Sequence, residues 1–306
     1  MEIPRMRPDE IVRKLAYPGG AVRMVLDTDT YNEVDDQFAL AYALASKERL
    51  RLEAVYAAPF RNDRAATPKE GMLKSYEEIQ RIFQLTGYET LPKVCKGSER
   101  FLADLATPEE SESVRDLIER AMNGSDDDPL YVVAIGAITN VVSAILLEPR
   151  IITKIVVVWL GGNPLHWPHT KEFNMLQDPI AGRFLFDCGV PLVQIPCFGV
   201  ASHLTVTPYE LQAVLEGRNP MCDALVSMFK EYDTDWYGKA KKLWDVAAIA
   251  YLVDERWVPT LTVESPIVTE RVTWGKGEGR HFIKSALYAR RSPIFRDLYT
   301  KLSGLY

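Results

Sequence analysis

The sequence predicts an α/β protein, one domain over residues 1–306, with an open, mostly parallel sheet covered by helices on both faces. Short runs rich in Val, Ile, Leu and aromatic residues recur at Val22 to Leu26, Leu52 to Ala57, Leu130 to Ile135, Ile155 to Leu160 and Leu192 to Ile195. Near-continuous apolar runs of this length read as strands buried on both faces. Segments of helical period lie between them, the alternation that generates parallel strands. No Pro/Gly/Ser-rich linker, repeat or low-complexity tract divides the 306 residues, and a 47% hydrophobic composition suffices for one large core.

Taken in order, Val22 to Leu26 (Arg23 apart) is the first strand, and Phe38 to Ala45 is the helix that follows it. Glu70 to Leu85 carries Met72, Leu73, Tyr76, Ile79, Ile82 and Phe83 at three- and four-residue spacing, a stripe that packs a helix on the sheet. Ser111 to Asn123 is a charged helix, and Thr139 to Leu147 and Pro179 to Phe186 are further helices. Asp178 before Pro179 is a helix cap followed by a first-turn proline, so Asp178 has a structural explanation and is not assigned to a site. Asp245 to Val253 starts a helix with an acid in its first turn. Thr262 to Tyr306 reads as strands joined through Gly275, Gly277 and Gly279, closed by a helix near Pro293 to Leu302.

The formal net charge of −6, with no basic stripe, argues against polymeric nucleic acid and for a small ligand. Met1 to Lys14 mixes charges with few apolar residues, which does not make a signal peptide, and the longest apolar run, Leu130 to Ile138, is too short to span a bilayer. The expectation is a soluble, cytoplasmic protein without a membrane partner. Cys95, Cys188, Cys197 and Cys222 are widely separated, form no CxxC, and read as reduced, mostly buried thiols.

The chemistry concentrates where the first strand ends. Asp27, Asp29, Asp35 and Asp36 fall within the segment Leu26-Asp27-Thr28-Asp29-Thr30-Tyr31-Asn32-Glu33-Val34-Asp35-Asp36. Open α/β sheets bind ligands beyond the carboxyl ends of their strands. Carboxylates this close repel one another, so either some keep their protons or a cation neutralises them. Three readings follow. A hard-cation site suits aspartate oxygens and carbonyls, whereas zinc would want His or Cys, and the four histidines form no HExxH or similar pair. A DxDx(T/V)-type phosphatase would use Asp27 as nucleophile and Asp29 as acid, although no later GDxxxD arrangement follows. Plain helix capping explains one or two such acids.

A second constellation, Glu172-Phe173-Asn174 before Asp178-Pro179, lies beyond the strand that ends Trp159-Leu160-Gly161-Gly162-Asn163. Glu and Asn side chains two apart on a loop can together accept from and donate to sugar hydroxyls. With the acid segment Asp27 to Asp36, Gly136-Ala137-Ile138-Thr139-Asn140, this constellation and Trp244-Asp245 all in order, the chain resembles the inosine–uridine preferring nucleoside hydrolases from about Met24 to the last helix.

The resemblance implies a Rossmann-like domain, assembled as a homodimer or homotetramer, that binds one Ca²⁺ and hydrolyses the N-glycosidic bond of a ribonucleoside or related N-riboside. By position it implies Asp29, Asp36 and Asp245 as carboxylate ligands, with the Ile135 main-chain carbonyl beside them. Asp29 would also be the general base, Asp35 would hold ribose hydroxyls, and Glu172 and Asn174 would grip the rest of the sugar. The rival from another class is a ribose- or nucleoside-binding protein of the same fold without turnover.

Departures from the family pattern gather on the substrate side. Five residues, Thr30 to Val34, separate Asp29 from Asp35, two more than the usual motif, so the loop must bulge and Asn32 or Glu33 can reach the pocket. Trp244 stands where a histidine often assists the leaving base, and the early His-Gly segment is missing. Tyr232, Trp236, Tyr237 and Trp244 are the aromatics placed to stack on a base, Trp244 foremost. Asn163 or His166 is expected at the usual sugar-binding place and Asn62 beside the substrate.

Overall fold

The computed structural model describes residues 3–304; Met1, Glu2, Leu305 and Tyr306, the ends of the expected 1–306 domain, lie outside them. The first two thirds of the chain supply strands β1 (Val22–Thr28), β2 (Leu50–Ala57), β3 (Lys93–Lys96), β4 (Leu130–Ala134), β5 (Ile155–Leu160) and β6 (Leu192–Ile195). The last third adds a ribbon of β7 (Thr205–Val206) with β8 (Lys241–Lys242), then β9 (Thr260–Glu264), a ribbon of β10 (Ile267–Val268) with β11 (Trp274–Gly275), and β12 (Phe282–Ala286). The main sheet has eight strands in the order β3-β2-β1-β4-β5-β6-β12-β9. All neighbours are parallel except β12 and β9.

All five apolar runs become central strands, and only their ends move: β2 starts at Leu50 and β4 stops at Ala134. The edge strand β3 escapes the apolar pattern because two of its four residues are lysines, a composition that suits an exposed edge. The helices are α1 (Pro8–Lys14), α2 (Asp35–Ala45), α3 (Pro68–Gln84), α4 (Glu112–Asn123), α5 (Thr139–Leu147), α6 (Phe173–Gln177), α7 (Pro179–Asp187), α8 (Pro208–Leu215), α9 (Pro220–Glu231), α10 (Val246–Val253) and α11 (Arg291–Ser303). Helix α3 starts two residues before its predicted position because the Thr67 hydroxyl accepts from the Glu70 N–H and Pro68 fills the first turn.

Strand alternation divides the core into two layers. On β1, Met24 and Leu26 face α2, α10 and α11, while Val25 faces α4, α5 and α7. Helix α10 is apolar all round and buried from Val246 to Leu252, as a helix sandwiched within a core must be. At about 2 kcal/mol for each large apolar side chain it buries, this helix has ample driving force to carry the acid at its start into the interior. The four cysteines are buried and unpaired. Among the described residues no helix is long and apolar enough to cross a membrane.

Strand order runs outward from β1 in one direction and from β4 in the other. The connections after β1 and β4 therefore leave on opposite faces and open a crevice between them at their carboxyl ends.

Candidate active site

That crevice holds a cavity of about 360 Å³, the size class of small-molecule sites. Its floor is a quartet of carboxylates: Asp29 from the loop after β1, Asp35 and Asp36 from the first turn of α2, and Asp245 from the start of α10. Each is at most 4% exposed. Thr28, in register with Leu26 on the α2 face, donates from its hydroxyl to Asp36 Oδ1 at 2.5 Å. The Trp244 main-chain N–H donates to Asp35 Oδ2 at 2.9 Å. Asp29 Oδ2 is buried with no partner. Gly136 is required beside it, since a Cβ there would lie 3.0 Å from the Asp29 carboxyl carbon.

Capping does not account for this quartet. The cap position of α2 is Val34, and the Asp245 side chain makes no capping bond to α10. Burial pushes all four carboxyls above the usual aspartate range, and repulsion from neighbouring carboxylates, Glu33 in the case of Asp35, adds to it. Asp36 is raised to about 7, by burial first and then by Asp35. Asp35 is raised by burial against the pull of the Lys241 ammonium, which lies 3.8 Å from its Oδ1. One cation among four acids leaves the floor electrostatically unsatisfied. An all-oxygen donor set with an orphaned carboxylate oxygen fits a hard divalent cation.

The tightest group of oxygens, all within 4.8 Å of one another, belongs to Asp35, Asp36 and Asp245. Asp35 stands beside Asp36 on the first helical turn, facing Asp245, and Asp29 adjoins the trio, so the residues that the resemblance implies for cation and ribose share one floor. Asp27 does not line the cavity. It alternates with Val25 toward α5, where Asn140 Nδ2 donates to its Oδ1 at 2.7 Å, and burial raises it to about 7. The phosphatase reading thereby loses its nucleophile.

The walls come from the loops after β4, β5 and β6. Glu172 caps α6: its carboxylate accepts from the N–H groups of Asn174, Met175 and Gly162 at 2.9, 3.3 and 2.8 Å. It lines the cavity already well bonded, beside the buried Cys197, which the sequence gave no role. Asn174 Nδ2 donates to the carbonyls of Ile135 and Leu160 at 3.0 and 2.9 Å, stitching two strand ends together. Asp178 behaves as a cap, accepting from Ala181, Leu102 and the Thr139 hydroxyl.

Two expected sugar contacts stand elsewhere. Asn163 is buried within its own loop, donating to the carbonyls of His169 and Lys171, and His166 is exposed; neither lines the cavity. Asn62 does line it, and its Nδ2 holds Asn32 Oδ1 at 2.7 Å, pinning the longer loop. That loop also sends Glu33 to the cavity, where Lys241 and the Tyr232 hydroxyl both donate to its carboxylate. Toward the mouth the lining becomes aromatic, with Phe173, Phe198 and Trp244; Phe198 meets Trp244 edge-on at 5.2 Å. Of the other candidate aromatics, Trp236 stacks on Phe229 and Tyr237 is 91% exposed. Lys241 and Arg64 went unread because nothing local marks them. Their partners lie far along the chain, although a lysine four residues before Asp245 is a usable hint.

An open parallel sheet with a carboxylate floor at its switch point defines a class of α/β proteins that hold a small polar molecule over buried acids. Within that class, the chain belongs to the family described as inosine-uridine preferring nucleoside hydrolase, whose model matches residues 24–286. It is thus a hydrolase acting on N-glycosyl compounds, and the family is metal-dependent. Over 274 residues it is 25% identical to the pyrimidine-specific ribonucleoside hydrolase RihA of Klebsiella pneumoniae (strain 342), covering 78% of this chain and 84% of the relative. It is 28% identical over 175 residues to the inosine-uridine preferring nucleoside hydrolase of Crithidia fasciculata, covering 55% of each. The solved purine-preferring ribonucleoside hydrolase from Gardnerella vaginalis superposes with a TM-score of 0.70 at 22% identity, covering 92% of this chain and 98% of that one.

Proposed function

We propose that the protein is a Ca²⁺-dependent, single-domain ribonucleoside N-ribohydrolase that releases ribose and free base, working in the cytoplasm as a homodimer or homotetramer. The observation that carries this reading is the buried quartet with its raised carboxyl pKa values and a single nearby ammonium. Asp29, Asp36 and Asp245 would hold the cation with the Ile135 carbonyl, and Asp35 lies against them on the ribose side. When bound, the ion supplies Lewis-acid polarisation that lowers the pKa of water at the floor.

Asp29 acts as general base: its unpartnered Oδ2 takes a proton as water attacks the anomeric carbon. Positive charge grows on the ribose ring in the transition state, and the remaining carboxylates stabilise it from below. Asp35 and Asn174 meet ribose hydroxyls, while Glu172, held by three N–H groups, keeps the sugar wall rigid. Direct attack by water predicts inversion at the anomeric carbon.

Asp29→Asn tests the assignment. The amide keeps the shape and removes the base, so kcat should fall by roughly 10³-fold or more, read as reducing sugar released from a panel of purine and pyrimidine nucleosides. Wild-type turnover in this variant would sink the general-base role.

A further inference from the structure

The floor takes charge of the sugar and the attacking water, but not of the departing base. Among the described residues no histidine lines the cavity, and Trp244 occupies the position before Asp245. Arg64 does line it, from the loop after β2. We infer that Arg64 is the catalytic group that stabilises the leaving base, an inference that rests on the placement of ribose over the carboxylate floor proposed above.

The guanidinium is held without being neutralised. Its Nη1 donates to the main-chain carbonyls of Tyr31 and Glu33, each at 3.4 Å, and its centre lies 5.6 and 5.4 Å from the ring centroids of Tyr31 and Tyr232. Glu33, whose main-chain carbonyl it touches, has its carboxylate committed to Lys241 and the Tyr232 hydroxyl, and Asp63, which also lines the cavity, makes no ion pair with it. Among the described residues no carboxylate forms an ion pair with Arg64, and its Nε and Nη2 have no hydrogen-bond partner. The longer Thr30 to Val34 loop thus gives Arg64 two carbonyls to sit on and diverts the carboxylate that would quench it.

Depth in the cavity decides which end of a nucleoside meets this group. Asp29, Asp35, Asp36, Asp245, Glu172 and Asn174 are at most 6% exposed, whereas Phe173 and Phe198 are 36% and 44% exposed and Arg64 lies at the surface. Ribose at the floor leaves the base in the mouth, where Phe198, Trp244 and Arg64 all belong to the lining. As the C1′–N bond breaks, its electron pair goes to the base nitrogen, water oxygen bonds to C1′ and one water proton goes to Asp29. Arginine does not give up its proton. It donates hydrogen bonds to ring nitrogen or carbonyl oxygen as negative charge develops there, and the released base then takes a proton from solvent.

The experiment compares Arg64→Met, Arg64→Lys and wild type on nucleosides and on p-nitrophenyl riboside, whose leaving group needs no help. For Arg64→Met, kcat/KM on nucleosides should fall roughly 10²-fold while p-nitrophenyl riboside stays within about threefold, and Arg64→Lys should fall between. Retained p-nitrophenyl riboside activity also reports an intact fold. Equal losses on both substrate types, or no loss on nucleosides, would overturn the role of Arg64. Full activity in Asp29→Asn would instead overturn the floor assignment, so the two failures are distinguishable.

Discussion

The floor and the mouth of the cavity are built by different means. Floor carboxylates project from a strand end and the starts of two helices, α2 and α10, whose apolar bodies are locked into the core. Mouth residues stand on loops and hold one another by rings, one ion pair and main-chain carbonyls. The floor stores unfavourable electrostatics that the core offsets; the mouth stores little and is free to vary. Attack on the sugar therefore belongs to the scaffold, and choice of base to the loops.

Breaking the floor should have the largest effects. Beyond Asp29→Asn, removing the cation with a tight chelator should abolish turnover, and Ca²⁺ should restore it. Stability should respond with a definite sign. Asp36 is raised to about 7 in the folded protein from an ordinary 3.8, so between these values the folded chain keeps a proton that the unfolded chain has lost. Stability of the metal-free protein is then lost as pH rises from about 4 to about 7. If the cation is Ca²⁺ as proposed, it would take the place of those protons, so its effect on the melting temperature should grow from about pH 5 to about pH 8. A cation effect independent of pH would show that the quartet is not the binding site.

A middle-sized effect is expected where the two regions touch. Lys241, 8% exposed, pairs with Glu33 of the mouth and lies 3.8 Å from Asp35 of the floor. Lys241→Met should destabilise the protein by about 1–3 kcal/mol, below the full value for a buried pair because Glu33 is partly exposed. The loop should loosen and KM rise by roughly tenfold, more than kcat falls. Cation affinity should hold or rise, because a positive charge beside Asp35 has been removed. Calorimetric titration with Ca²⁺ checks this, and a collapse of affinity would mean that Lys241 shapes the floor.

The same division explains what could be read from the sequence. Asp29, Asp35 and Asp36 were legible as acids at a strand end and helix start, and Asp245 as an acid in a first helical turn; that the four share one site was implied by the resemblance alone. Gly136 was legible as part of a motif, but its reason, the approach of the Asp29 carboxyl, needs coordinates. Glu172 was read for sugar although its cap bonds to Asn174 and Met175 are local, and its third bond, from Gly162 ten residues back, is one no local pattern shows. Asn163 and His166 lie outside the cavity lining because a loop rich in proline and glycine sets its own directions. Arg64 and Lys241 were silent: Lys241 meets Glu33 across 208 positions, a distance no local pattern encodes.

Trp244 gives the smallest effect and the sharpest division, because it belongs to both regions through different atoms. Its main-chain N–H bonds Asp35 at the floor, while its ring meets Phe198 at the mouth. Trp244→Ala keeps the first and deletes the second. Lost aromatic contact is worth about 0.5–1.5 kcal/mol beyond area, so KM for nucleosides should rise by roughly two- to tenfold. Ca²⁺ affinity and turnover of p-nitrophenyl riboside should stay near wild type, since the Asp35 hydrogen bond does not depend on the side chain. A matching loss of Ca²⁺ affinity would show that the ring braces the floor, and that the two regions are one mechanical unit.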